Sequence, residues 1–253
     1  MRILFISPHP DDIEFACGNT ETRFIEDGHE VYIACITADE YGTDRNDYKG
    51  ERISKIRRRE MKRAAEIIGI TKLDWLGFID GYVKINKKSI NYIKKYIKKI
   101  NPDIIFTSDP FYPVDFHPDH LKTGFMVLSI LKKMKNPPLT LLFYTFCPNY
   151  YIPCIYRKKA FKAFSMHRSQ GFDRKITILF NSIFQLIHGL KIQNFLFADA
   201  YRIVDLTKRL KIKNSLWNKM KYAFFNSIMK ILLPKAPLYN PTPEDLGIKE
   251  FRF

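Results

Sequence analysis

Short runs of unbroken apolar residues recur along the first half of the chain, each followed by a stretch of helical periodicity. Arg2–Ser7 reads as a strand buried on both faces, and Ile13–Asp27 as a helix closed by Gly28. Glu30–Thr37 is a second strand that leads into a polar loop running to Gly50. Arg52–Ile68 places Ile53, Ile56, Ala64, Ile67 and Ile68 on one helical face and stops at Gly69. Lys72–Leu76, Asp103–Thr107 and Leu139–Phe146 supply further strands, with helices over Ser89–Ile100 and from Pro118 to Lys135 between them. Strands that are apolar at successive positions cannot face water on either side. Their alternation with helices requires a mainly parallel sheet covered on both faces, a three-layer α/β/α sandwich. In the strand order 3-2-1-4-5 the reversal falls between strands one and four, and such sheets bind ligands beyond the carboxyl ends at that reversal.

Both strands at the reversal run into polar clusters. Ile3 to Ile6 is followed by Ser7-Pro8-His9-Pro10-Asp11-Asp12, and Ile104 to Phe106 leads to Asp115-Phe116-His117-Pro118-Asp119-His120. His9 and Asp12 are three apart on a Pro-flanked turn. His117 and His120 have the same separation at a helix start, where Pro118 suits the first helical position. A set of two imidazoles and a carboxylate drawn from these clusters leaves an open position for water, whose pKa a zinc ion lowers toward ~7. Asp11 is then available as a general base, and the remaining His can polarise a carbonyl or protonate a leaving amine. A capping Asp and a turn His would account for either cluster alone. Their meeting at one switch point favours a metal-dependent hydrolase. No G-x-G-x-x-G follows Ile6, which removes the dinucleotide-binding reading of the first turn.

Further elements, in the same order, resemble the LmbE-like/PIG-L deacetylases of N-acetylglucosaminyl compounds. His9-Pro10-Asp11-Asp12 resembles that family's first signature, and Thr37 through Thr43 its loop after the second strand. Arg57-Arg58-Arg59-Glu60 with Ala64-Ala65 and Gly69 is similar to its Arg-x-x-Glu helix. Leu76-Gly77-Phe78-Ile79-Asp80-Gly81 is similar to its loop after strand three, and His117-Pro118-Asp119-His120 to its second metal motif. His167-Arg168-Ser169-Gln170 and the strand Phe197-Ala198-Asp199-Ala200-Tyr201-Arg202 complete the series. The resemblance covers roughly residues 2–206 and implies a Rossmann-like fold. It implies zinc, or another divalent transition metal, held by His9, Asp12 and His120. Asp11 would be the base, and His117 would stabilise the oxyanion or assist the leaving amine. Arg57 and Asp80 would face the sugar, with Arg58 or Arg59 in place of Arg57 if the helix register differs. Ala16, Asn19 and Asp39 stand where the family commonly carries glycine, and none of them is an implied ligand. Ser169 lacks a nucleophile elbow, so His167, Ser169 and Gln170 read as supporting residues.

The formal net charge is +16 over 253 residues. Such an excess suits an anionic membrane, nucleic acid or an acidic substrate, although lysines spread over many helices also describe a solvated surface. Nucleic acid rests on charge alone and is not expected. Cys17, Cys35, Cys147 and Cys154 form no Cys-x-x-Cys pair and read as reduced thiols of a cytoplasmic protein. Met1-Arg2 opens directly into a strand with no signal-peptide pattern, and no transmembrane run is present. Beyond Phe146, Tyr156–Met166 reads as a helix and Asp199–Leu206 as a strand, while Ile176–Phe197 is rich in Phe, Ile and Leu. Ile212, Leu216, Met220, Phe224, Ile228 and Leu232 fall at helical spacing with lysines alongside. Residues 211–233 are therefore expected either to lie on the inner face of an anionic membrane or to pack on the domain or another subunit of a homo-oligomer. This gives a deacetylase domain over 1–206 and a basic amphipathic extension over 207–253, acting on a small-molecule or lipid-linked N-acetylated amino sugar. Two rivals stand beside it: an amidase for a different amide, and a catalytically inactive membrane- or polyanion-binding protein. A binding module has no use for Asp11.

Overall fold

A computed structural model describes residues 1–206, 220, 223–224, 227 and 241–248. Strands β1 (Arg2–Ser7), β2 (Glu30–Thr37), β3 (Lys72–Phe78), β4 (Ile104–Ser108) and β5 (Leu139–Phe143) are parallel. They are joined by α1 (Asp12–Glu26), α2 (Glu51–Ile68), α3 (Lys87–Ile100) and α4 (Pro118–Leu131). The chain continues through β6 (Tyr150–Pro153), α5 (Arg157–Phe164), α6 (Lys175–Gly189) and β7 (Ala198–Ile203). The order is β3-β2-β1-β4-β5-β7-β6, with β7 antiparallel to both neighbours. Among the described residues this is a mostly parallel sheet of 7 strands with 6 α-helices. The expected reversal between β1 and β4 is present.

Residue alternation sorts each strand onto two cores. Leu4, Ile6, Ala34, Ile36 and Ile105 point to the face covered by Ile93 and Ile97 of α3 and Met126 and Val127 of α4. Ile3, Phe5, Ile33, Cys35 and Phe106 point to the other, under Ile13 and Cys17 of α1 and Met61 of α2. Burial on both faces is why these strands read as unbroken apolar runs. Helix ends follow local chemistry. Gly69 closes α2 with a φ of 93°, a left-handed conformation that suits glycine. Asn86 opens α3 with a capping box to Ser89, which starts the helix ahead of the expected Ser89.

Three boundaries differ from expectation by three residues or more. The strand read to Phe146 stops at Phe143, because Tyr144 turns to a φ of 51°. The helix read to Lys135 ends at Leu131, and the strand read over Asp199–Leu206 is Ala198–Ile203. β6 is a short edge strand ending in Pro153, and nothing in its local pattern announces it. The run 211–233 lies almost wholly outside the described residues, as does most of the extension from 207. Its portion at 241–248 returns to the loop after β2, where Tyr41 Oη donates to the Pro241 carbonyl at 2.8 Å and Leu246 sits over Gly50. No helix among the described residues is long and apolar enough to cross a membrane.

The late strand β7 is fastened to the end of β4. Arg202 Nε and Nη2 donate to Asp109 Oδ2 and Oδ1 at 2.7 and 2.6 Å, both residues being buried. Asp109 Oδ1 also accepts from the amides of Phe111 and Tyr112, so one carboxylate closes the turn at Pro110 and the ion pair. Removing the cation would strand that buried charge. Arg202→Ala is expected to lower stability by about 3–5 kcal/mol, read by urea denaturation, with Arg202→Lys intermediate.

Candidate metal centre

The two segments that meet at the reversal are anchored in the same way. Ser7, the last residue of β1, donates its hydroxyl to the His9 carbonyl at 2.6 Å. Ser108, the last residue of β4, donates to the His120 carbonyl, also at 2.6 Å. One turn beyond His120, Gly124 lets α4 approach β4 closely, since a Cβ there would run into the Ser108 carbonyl. Strand ends and helix starts are thereby fixed before any side chain at the site is considered.

His9 Nδ1, Asp12 Oδ2 and His120 Nε2 form a triangle with sides of 3.0, 3.5 and 3.3 Å. Ligands about 2.0–2.2 Å from a tetrahedral zinc stand roughly 3.3–3.6 Å apart, so the donor set fits a divalent metal in both chemistry and spacing. His117 also brings a ring nitrogen within 4.8 Å of His9 and His120. A second set, His9 with Asp39 and Asp80, also gathers its donor atoms within 4.8 Å of one another. It is the poorer candidate, because Asp39 is paired with Arg57 and Asp80 faces the far nitrogen of the His9 ring.

Carboxylates stand behind both candidate ligand histidines. Asp80 Oδ1 lies 3.1 Å from His9 Nε2, which places the ring proton there and leaves Nδ1 as the donor atom. Asp80 is held in turn by the Tyr41 amide, and its own amide donates to Glu40 Oε2. Asp119 Oδ2 accepts from the Gly81 amide at 2.6 Å and lies 3.7 Å from His9 Nε2. Asp115 Oδ2 is 3.3 Å from His120 Nδ1, and the Tyr144 ring stacks on His120 at 5.4 Å. Burial alone would lower the pKa of His9, but Asp119, Asp12 and Asp80 outweigh it and hold the ring well above its ordinary value. Burial works the same way on His120 and is overcome by Asp12 and Asp115. Asp12 is also buried, yet His120 and His9 hold it well below the usual carboxylate range. The pocket is thus built to stabilise positive charge at the triangle.

Asp11 takes a φ of 119°, a left-handed conformation that a side-chain-bearing residue adopts only when its surroundings dictate it. Its carboxylate does not cap α1. Arg57 Nη2 donates to Asp11 Oδ2 at 2.6 Å and to the Pro10 carbonyl, while Nη1 pairs with Asp39. Burial pushes the Asp11 carboxyl up to about 6 against the pull of Arg57. His117 is the N-cap of α4, and its Nδ1 accepts from the Asp119 amide at 3.2 Å, which leaves the ring proton on Nε2. Burial, reinforced by His9 and His120, pushes its pKa down to about 4, so the ring is neutral.

His9, Asp11, Asp12, Arg57, Asp80, His117 and His120 are therefore grouped at this crevice. Of the three successive arginines, Arg57 is the one that reaches it, since Arg58 lies over the Trp75 ring and Arg59 donates to the Lys55 carbonyl. Arg57 and Asp80 are both buried and engaged, one with Asp11 and the other with His9. Glu40, Asp119, Ser7, Ser108 and Tyr144 were not anticipated. The available signal was position: each sits at or just past the carboxyl end of a strand or, for Asp119, between two ligand candidates. The supporting element Arg168–Gln170 ties the surroundings together. Ser169 bonds Glu60 of α2 through its amide and hydroxyl, Gln170 Nε2 donates to the Gly42 carbonyl, and His167 lies 3.4 Å from Glu14.

A family model described as PIG-L, GlcNAc-PI de-N-acetylase, matches residues 4–131. The chain belongs to the PIG-L family. Among its curated relatives, this PIG-L family member is 33% identical over 125 residues to a diacetylchitobiose deacetylase of Thermococcus kodakarensis, covering 49% of the chain and 47% of the relative. It is 34% identical over 138 residues to a probable N-acetyl-alpha-D-glucosaminyl L-malate deacetylase 2 of Bacillus cereus, covering 53% and 62%. The chain thus spans about half to just under two thirds of the length of these relatives. Its fold superposes on the N,N'-diacetylchitobiose deacetylase of Pyrococcus horikoshii with a TM-score of 0.74 and 28% identity, covering 81% of this chain and 84% of the other. The PIG-L family member is expected to need its second layer for metal affinity. Asp80→Asn should weaken zinc binding about 10–100-fold in competition with a chromogenic chelator, with the unfolding midpoint of the metal-free protein little changed.

Proposed function

We propose that the protein is a zinc-dependent N-deacetylase that removes the acetyl group from an N-acetylglucosamine-type moiety of a larger glycoconjugate. The observation that carries this reading is the triangle of His9 Nδ1, Asp12 Oδ2 and His120 Nε2 with the Asp11 carboxylate and a neutral His117 beside it. Membership of the PIG-L family, and relatives named as deacetylases of such sugars, support it further. Free thiols at all four cysteines fit a reducing, cytoplasmic setting.

Zinc held by this set would supply Lewis acidity to a water molecule and to the acetamide carbonyl. Asp11 takes a proton from the attacking water. Arg57 engages Asp11 Oδ2, which fixes the carboxylate and leaves Oδ1 as the oxygen for that proton. As the carbonyl carbon becomes tetrahedral, its oxyanion accepts a hydrogen bond from His117 Nε2–H. The carbon–nitrogen bond then breaks, the proton on Asp11 passes to the departing nitrogen, and acetate and a free amine leave. Asp80 holds His9 and Arg57 holds Asp11 throughout, so both buried residues, expected to face the sugar, would act on it through these partners.

Acetate release from a panel of N-acetylglucosaminides tests the reading. The zinc-loaded protein should release acetate, chelation should abolish it and added zinc should restore it. Asp11→Asn should lose about 10²–10⁴-fold in rate, and His117→Ala about 10²–10³-fold. Silence across the panel from folded, zinc-loaded protein would sink the proposal, and cleavage of a different amide without acetate would redirect it to an amidase.

A further inference from the structure

Helix α6 has its polarity reversed for a helix packed on a monomer. Its inward face is polar. Asn181 Nδ2 donates to the Phe15 carbonyl at 2.8 Å, Gln185 Nε2 to Asp199 at 3.2 Å, and Ser182 Oγ accepts from Arg157 at 2.9 Å. Asn181 and Gln185 are buried, so these bonds fix the rotation of the helix about its axis. The outward face is apolar. Ile176, Leu179, Phe180, Ile183, Ile187 and Leu190 recur at intervals of three and four and are 45–74% exposed. Turning the helix to bury them would deprive the buried Asp199 of a donor. A continuous apolar stripe of this size marks an interaction surface rather than ordinary surface scatter.

Charge decides the partner. Arg174 and Lys175 at one end of the stripe and Lys191 at the other are exposed. Arg202 is bound to Asp109 and the cations from Lys208 to Lys235 lie outside the described residues, so the charges that flank the stripe are these three cations against the exposed Asp173. A second copy of the chain would match the apolar stripe but bring the same positive charge to the contact. An anionic bilayer matches both, with apolar side chains in the acyl boundary and flanking cations against the phosphates. We propose that α6 is a membrane-docking helix, lying in the plane of an anionic lipid surface with its outward stripe immersed. Met220 and Phe224, from the expected amphipathic run, are also exposed, and a second contact there is compatible with this arrangement.

The test uses the full chain and readouts independent of catalysis. Sedimentation with vesicles of phosphatidylcholine, alone or with about one third phosphatidylglycerol, should show binding only to the anionic set, weakened by salt. Ile183→Cys carrying an environment-sensitive fluorophore should shift to shorter wavelength on those vesicles, with identically treated parent protein as the control for native thiols. Phe180→Ser combined with Ile187→Ser should weaken vesicle binding at least about tenfold while leaving the unfolding midpoint unchanged. Undiminished binding by the double variant, with no fluorophore shift, would overturn the assignment and move the contact to another segment. Absence of binding to either vesicle would overturn it as well. So would a fluorophore shift that follows dimerisation in light scattering without vesicles, which would make a second copy the occupant.

Discussion

Where β1 and β4 lie side by side, Asp11, Asp12, Asp80 and Asp119 crowd around His9 in a space largely closed to water. Four carboxylates cannot be buried together unless positive charge is supplied, because desolvation exceeds what unpaired neighbours return. The site divides that task. Arg57 takes Asp11 and Asp39, while His9 and His120, with the candidate metal position between them, take Asp12, Asp80 and Asp119. The same balance that makes burial tolerable directs cationic stabilisation to one point. A metal at that point would satisfy the pocket electrostatically as well as by coordination.

Because Arg57 belongs to α2, the placement of Asp11 depends on how α2 is held. Glu60, one turn further along α2, is bonded twice by Ser169, and Gln170 from the same short element supports the loop at Gly42. A Cβ at Gly42 would collide with Asp39 and Arg57, so the loop can close on the ion pair only with glycine there. Asp39 adopts a φ of 57°, a left-handed conformation that suits glycine, and its carboxylate gives Arg57 a second partner.

Much of this was legible from the sequence because its signals are local. Unbroken apolar strands alternating with helices fix a parallel order, and two His-rich turns after strands one and four then have to meet. What escaped was set by distant partners. β6 has four residues and a Pro, and it exists because β7 lies beside it. Asp119 in the first turn of α4 looks like a favourable charge on the helix dipole, and only the fold brings Gly81 and His9 to it. Over α6 the sequence shows only a stretch rich in Phe, Ile and Leu, and not which face points inward. That is decided by Phe15 and Asp199, remote in sequence, and the outcome is opposite to the usual rule.

All of the candidate ligands lie in the stretch matched by the family model, yet the helix that begins with them is sheltered by chain made much later. Asp199 accepts from the amide and hydroxyl of Thr20 on α1, Tyr201 Oη bonds that same hydroxyl, and Ala160 packs against Gly18. On the ribosome, His120 is joined to the growing chain roughly eighty residues before Tyr201, an interval of about 4–16 s at ordinary rates of synthesis. Throughout that interval the nascent chain carries every candidate ligand without the wall that orients α1. The candidate site is therefore complete only once β7, the last strand among the described residues, has been made.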